Sequence, residues 1–228
     1  MRGKAAAVQA ALTSRRAGYR PPHLPMSYFL DIGTGAGLAS ATGVRPFLTT
    51  LLAGGLARGD VGIDFDGTDF AWLESTGFLA AVLAVGLVVF FVERSRINRA
   101  SPDIGGRAGR GPVEVLSGLI GVAFGAVLFA GALADNGHPV WVGFVFGPLC
   151  AALAWLAVGG LVERVRARLE PEQAALVTAF ADAAALLLAA IAIFVPPLAL
   201  LAIPAFAVLL AGGRRRDGEK YAGLRILR

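Results

Sequence analysis

Apolar runs separated by short polar breaks organise this chain from residue 28 almost to its end. Read against their breakers, the runs predict six membrane-crossing helices, over 28–57, 70–92, 113–134, 140–162, 174–195 and 198–212. Most of these reach the roughly 20 residues that a helix needs to cross a bilayer. The sixth is short, and Pro196 with Pro197 marks the turn before it. The pattern therefore predicts an all-α integral membrane bundle over residues 28–212, flanked by a basic extension (1–27) and a basic tail (213–228). Pro21, Pro22 and Pro25 crowd the end of the extension, and Met26 directly precedes the first run. The extension is expected to be disordered, with Met26 as the natural start. Its alanine-rich stretch is too short, and lacks the cleavage pattern, for a secretory signal.

Composition supports lipid as the solvent. The chain is 56% hydrophobic and 16% charged, against about 45–50% and about 25% in soluble domains. A net charge of +5 could suggest nucleic acid, but all the basic residues except Arg45 and Arg58 lie at the chain ends and in alternate connections. They are Arg2, Lys4, Arg15, Arg16 and Arg20; then Arg94, Arg96, Arg99, Arg107 and Arg110; then Arg164, Arg166 and Arg168; then the tail from Arg214. Cytoplasmic loops hold the positive excess, so both termini are expected inside, with six crossings. The expected partners are the bilayer and anionic lipid headgroups at the inner arginines, with a homo-oligomer left open and nucleic acid excluded. The strong preference for arginine over the two lysines, Lys4 and Lys220, suggests a GC-rich genome and a bacterial plasma membrane.

The segment "VGIDFDGTDF", residues 61–70, carries Asp64, Asp66, Gly67 and Thr68 in a D-x-D-G-T order resembling the nucleophile loop of haloacid dehalogenase phosphatases. That chemistry needs a preceding buried strand and a later lysine, and both lysines lie at the chain ends. What remains is an acidic outer loop, with Asp64, Asp66 and Asp69 as a weak cation candidate and a solvated loop as the plainer reading. His23 and His138 offer no other metal site, no cofactor is implied, and Cys150 reads as a core thiol. No H-E-x-x-H, G-x-S-G or paired intramembrane aspartates point to catalysis.

The first run, "DIGTGAGLASATGVRPFLTTLLAGGLA", is the most unusual. Its glycines favour close helix packing, as do Gly121 with Gly125 and Gly143 with Gly147. Arg45 lies well inside it, where insertion costs about 2.5–3.5 kcal/mol. Pro46 removes the helical bond to the Thr42 carbonyl and breaks the first helix at Arg45-Pro46. Ser40, Thr42, Thr49 and Thr50 would make that break polar, a feature tolerated where it is buried or lines a cavity. Asp182, with Thr178 one turn earlier, is the natural partner. The candidate substrate-binding set is Arg45, Asp182, Thr42, Ser40, Thr49 and Thr178, serving a small solute such as an anion or a lipid-linked group. The alternative is a structural Arg45–Asp182 pair that only fixes helix packing. Asp31, Glu74 and Glu114 are expected at the interface, and Glu93 in a solvated inner loop.

Two short echoes, "AGGLA" at 53–57 with "AGALA" at 130–134 and "VER" at 92–94 and 162–164, suggest duplication of a two-helix unit. Over "GLASATGVRPFLTTLLAGGLAR" and "VERSRINRASPD" the chain resembles the prokaryotic membrane family catalogued as domain of unknown function 4126. The resemblance covers about residues 28–212, and "EKYAGLRILR" fits the tail of some members. It implies the membrane fold and no activity.

Overall fold

The computed structural model describes residues 25–99, 112–166, 169 and 171–222. Nearly all of the N-terminal extension and most of the first inner connection lie outside these residues. The elements are α1 (Pro25–Val44), α2 (Pro46–Ala57), a 3₁₀ turn (Ala71–Glu74), α3 (Thr76–Arg99), α4 (Pro112–Asp135), α5 (Trp141–Arg166), α6 (Pro171–Phe194), α7 (Pro196–Ala199) and α8 (Ala202–Ala222). No strand occurs among the described residues.

Five described stretches are long and apolar enough to cross a membrane: Thr76–Ser95, Pro112–Asp135, Trp141–Val165, Leu176–Phe194 and Pro196–Gly213. Their outer faces expose large apolar side chains, including Val88, Phe91, Leu119, Leu149, Leu187 and Val208. Water disfavours such a surface and lipid accepts it. The chain therefore reads as a membrane-embedded helical bundle, in agreement with the second to sixth predicted runs.

The first run departs from expectation. It is a hairpin of two helices, not one broken crossing. Helix α1 runs antiparallel to α4: Asp31 meets Asn136, Gly35 packs on Phe129, and Thr42 lies over Gly121. It is also antiparallel to α6, with Gly33 at Pro196, Gly37 at Ala192 and Arg45 at Asp182. Helix α2 then turns back. Pro46 starts opposite Gly121, and Gly54 ends beside Leu73 and Leu79. Gly62, five residues past α2, touches Ile193 near the end of α6. The hairpin thus opens at the Asp135 end of the bundle, and its tip lies about 14 Å along α4 from Pro112, at roughly 1.5 Å per residue.

The reversal has a local cause. Arg45 is extended, with φ −144° and ψ 90°, between an α1 that ends on its N–H and an α2 that starts with Pro46. The Arg45 N–H still donates to Ala41 O (2.9 Å), while Pro46 has no N–H to offer Thr42. A continuous helix over 28–57 would be about 45 Å long, against a bilayer core of about 30 Å. Consequently Pro25 lies at the Asp135 end, whereas Gly213 lies at the opposite end beside Arg164. The two ends of the described chain thus lie at opposite ends of the bundle.

Helix α1 is the central element, buried almost continuously from Asp31 to Gly43 and packed against α4, α5, α6 and α7. Its small residues make that possible. A Cβ on Gly43 would fall 2.1 Å from the Ala151 carbonyl oxygen of α5, so no larger residue fits without moving backbone. Helices α4 and α5 use the same device where Gly147 approaches the Gly125 carbonyl. The echoed segments occupy comparable places: 53–57 and 130–134 end α2 and α4, and both "VER" segments lie near the far ends of α3 and α5.

The loop from 58 to 75 buries its apolar side chains and leaves Asp60, Asp66 and Asp69 exposed. Ile63, Phe65, Phe70 and Leu73 are buried in the main core cluster with Leu128, Ala130 and Ala132. Phe65, fully buried, lies against Gly131. Asp60, Gly62 and Gly67 take positive φ to turn the chain, a conformation most easily held by glycine. Arg58 Nη1 donates to Glu74 O (3.2 Å) and Thr76 Oγ1 (2.6 Å), closing the loop on the start of α3.

Candidate functional site

The hairpin tip brings three charges together. Arg45 Nε pairs with Asp182 Oδ1 on α6, and its Nη1 lies 3.4 Å from Glu93 Oε2 on α3. The side chains of Arg45, Asp182 and Glu93 are 21%, 26% and 30% exposed. An arginine at this depth needs compensation, and two carboxylates from different helices supply it.

Two cavities flank the cluster, and Arg45, Pro46, Glu93 and Ser117 line both. One, of about 280 Å³, lies between α1, α4 and α5, with Glu114, Gly118 and Trp155 in its wall. The other, of about 270 Å³, lies between α2, α3 and α6. Apolar Phe47, Leu48, Leu83, Leu87 and Phe90 form most of its wall, and Asp182 and Thr178 lie with Arg45. The arrangement can hold a small solute against a guanidinium and carboxylates while apolar walls exclude water.

Of the six candidate residues, Arg45, Asp182 and Thr178 meet at this site. Thr42, Ser40 and Thr49 line neither cavity. They are buried at helix contacts, where Thr42 Oγ1 donates to Ala39 O (2.7 Å). Among the described residues, the hydroxyls of Ser40, Thr49 and Thr50 are buried with no hydrogen-bond partner. Glu93 was expected in a solvated inner loop, and Glu114 near a span end at the interface. Glu93 belongs to the cluster because α3 continues to Arg99 and carries it inward facing the tip. A signal existed, since Glu93 directly follows the apolar run with no breaker before it.

The opposite end holds a second polar contact. Asp31, also expected at the interface, is only 9% exposed. Asn136 Nδ2 donates to its Oδ1 at 3.0 Å, and His138 Nε2 lies 3.2 Å from its Oδ2. The Tyr28 ring meets His138 edge-on at 4.7 Å. This clamp ties the start of α1 to the α4–α5 connection.

In the acidic loop, Asp60, Asp64 and Asp66 bring carboxylate oxygens within 4.8 Å of one another. Asp60 therefore takes the place expected for Asp69. The Asp66 N–H donates to Asp64 Oδ1 (2.7 Å), an ordinary turn contact. Glu74 is buried and accepts the Phe65 N–H. Burial chiefly, then the nearby Asp66, Asp64 and Asp60, pushes its carboxyl above the usual carboxylate range.

No protein-family model matches the chain, and neither a curated protein nor a solved structure is similar to it.

Proposed function

We propose that this is a multi-pass protein of a bacterial plasma membrane that binds and moves a small solute at the hairpin tip. The observation that carries the reading is the Arg45–Asp182–Glu93 cluster, which faces two cavities from a discontinuous helix pair. Intramembrane charges mark substrate and ion pathways by default, and broken helices supply the binding sites of many transporters. The resemblance to the domain of unknown function 4126 family is compatible with this reading and adds no substrate.

The charge pattern supports a cytoplasmic Pro112 end, since Arg94, Arg164 and Arg214–Arg216 cluster there. With α1–α2 as a re-entrant hairpin, five crossings remain, and Pro25 faces the outside. The cytoplasmic arginines would then meet anionic lipid headgroups.

One observation favours a second reading, in which the cluster is structural. The direct pair between Arg45 and Asp182 pins the tip to α6 and would fix packing without any ligand. A thermal-shift screen of charged and amphipathic solutes in lipid nanodiscs separates the two. A ligand present at a hundredfold excess over Kd stabilises the native state by about 2.7 kcal/mol. Under the transport reading at least one solute gives such a shift, and a folded Arg45→Ala variant loses it. The absence of any shift, with Arg45→Ala merely less stable, supports the structural reading instead.

A further inference from the structure

We propose that the solute comes from the bilayer and is a single-chain amphiphile with a small uncharged polar head, of the long-chain alcohol class. This inference rests on the solute-binding reading above and gives that site a substrate class and a direction of entry.

The cavity between α2, α3 and α6 carries the argument. Leu83, Gly86, Leu87, Phe90 and Glu93 recur at three- and four-residue spacing along α3, so one face of that helix forms a wall of the cavity. From Glu93 to Leu83 that wall runs about 15 Å, at roughly 1.5 Å per residue. About 270 Å³ spread over such a length makes a slot about 4–5 Å wide, close to the roughly 4 Å at which carbon atoms pack side by side. The slot has room for one hydrocarbon chain and not for two.

Its mouth faces lipid. Leu48, Leu83, Leu87 and Phe90 line the slot and are also 37–49% exposed on the outer surface of the bundle. Helix α3 packs on α2 and the 3₁₀ turn, and Leu83 and Leu87 stand midway along its Thr76–Ser95 crossing. Acyl chains are the surroundings at that depth. A solute dissolved in lipid enters such a slot sideways, with its chain laid along α3.

The other end of the slot selects the head. Arg45, Glu93, Ser117, Thr178 and Asp182 gather there. A guanidinium carries five N–H donors, and the two ion pairs engage Nε and Nη1, so this end presents N–H donors beside carboxylate acceptors. A hydroxyl accepts from one and donates to the other, whatever the net charge around them. The tip lies about 14 Å along α4 from Pro112, near the middle of a bilayer core of about 30 Å. A charged head is costly at that depth, and a hydroxyl much less so.

The test is photolabelling of the full chain in lipid nanodiscs by hexadecanol carrying a diazirine in mid-chain, with the label mapped by mass spectrometry. The expected result is saturable labelling of slot residues on α2 and α3, prevented by excess hexadecanol but not by butanol, which has the same head and too short a chain. Lipid-facing Val208 on α8 supplies the unsaturable background. Leu51→Trp fills the slot away from the ion pairs and should lower its labelling about tenfold, equivalent to about 1.4 kcal/mol. Leu83→Trp at the exposed mouth should act in the same direction, and it decides the matter if Leu51→Trp does not fold. Labelling of the slot no more saturable than that of Val208 overturns the inference. Equal protection by butanol overturns the chain and the sideways entry, and protection by hexadecanoate or hexadecylammonium about tenfold better than by hexadecanol overturns the uncharged head. After any of these failures, a solute shift lost in folded Arg45→Ala would still uphold the solute site, whereas no shift in the solute screen would bring down both readings.

Discussion

Removing Arg45 should cost more than removing Asp182, because the two deletions leave different residues behind. Arg45→Ala strands both Asp182 and Glu93 without their cation. Asp182→Ala leaves Arg45 with Glu93 at 3.4 Å. Losing one partner of a fully buried pair costs about 3–5 kcal/mol, whereas an exposed pair is worth about 0–1 kcal/mol. Side chains 21% and 26% exposed lie between these limits and nearer the buried one. The expected losses are about 3–4 kcal/mol for Arg45→Ala and about 1–2 kcal/mol for Asp182→Ala. The double variant retains only Glu93 unpaired and should lose about 3 kcal/mol, less than the sum of about 4–6 kcal/mol, so the coupling is about 1–3 kcal/mol. Reversible unfolding from mixed micelles by titration with an anionic detergent measures all three. An Asp182→Ala loss equal to or larger than that of Arg45→Ala, or additive singles, would refute the three-charge description.

Phe65→Ala should cost about 3–5 kcal/mol, since the ring is fully buried on Gly131; exposed Asp66→Ala should change stability by less than about 0.5 kcal/mol, and the same detergent titration compares them. Gly43→Ala places a methyl 2.1 Å from the Ala151 oxygen and should cost at least about 1–3 kcal/mol. Gly55→Ala meets nothing within 4 Å and should stabilise α2 by about 0.5–1 kcal/mol, as thermal unfolding of the two variants would show. Because its raised carboxyl holds a proton more tightly when folded, Glu74 contributes stability at low pH that is lost as pH rises through the folded value, above the usual carboxylate range. A stability–pH profile should show that fall in wild type, and Glu74→Gln, whose amide oxygen can still accept the Phe65 N–H, should flatten it.

The helical membrane character and the depth of Arg45 were legible because hydropathy and residue cost report on each helix separately. The partnership with Asp182 was legible for the same reason: a charge far inside an apolar run needs an opposite charge at similar depth. The fold-back at Arg45 was not, because apolar composition is the same for a crossing and for a hairpin that returns. Its one signal was length, a run some 15 Å longer than the bilayer core when helical. The N-terminal arginines gave no hint of the fold-back, since they fitted an alternation that assumes one crossing over 28–57. Burial of Ile63 and Phe65 was written in the alternation I-D-F-D, which puts apolar residues on one face of an extended segment, but the acidic residues drew attention to the other face. Glu93 was missed because a charge after an apolar run ordinarily marks the helix end, and only the position of the tip makes it a partner.

The hairpin carries the whole account, and its topology is directly measurable. In a Cys150→Ser background, single cysteines at Ser27, Asp69 and Arg94 can be labelled in sealed, oriented vesicles with a membrane-impermeant maleimide. Ser27 and Asp69 flank the two open ends of the hairpin, and Arg94 lies in the last turns of α3, toward the other end of the bundle. Ser27→Cys and Asp69→Cys are expected to label from the same side and Arg94→Cys from the opposite side. Labelling of Ser27→Cys and Asp69→Cys from opposite sides would mean that residues 28–57 cross the membrane once, and would contradict the hairpin and the site built on its tip.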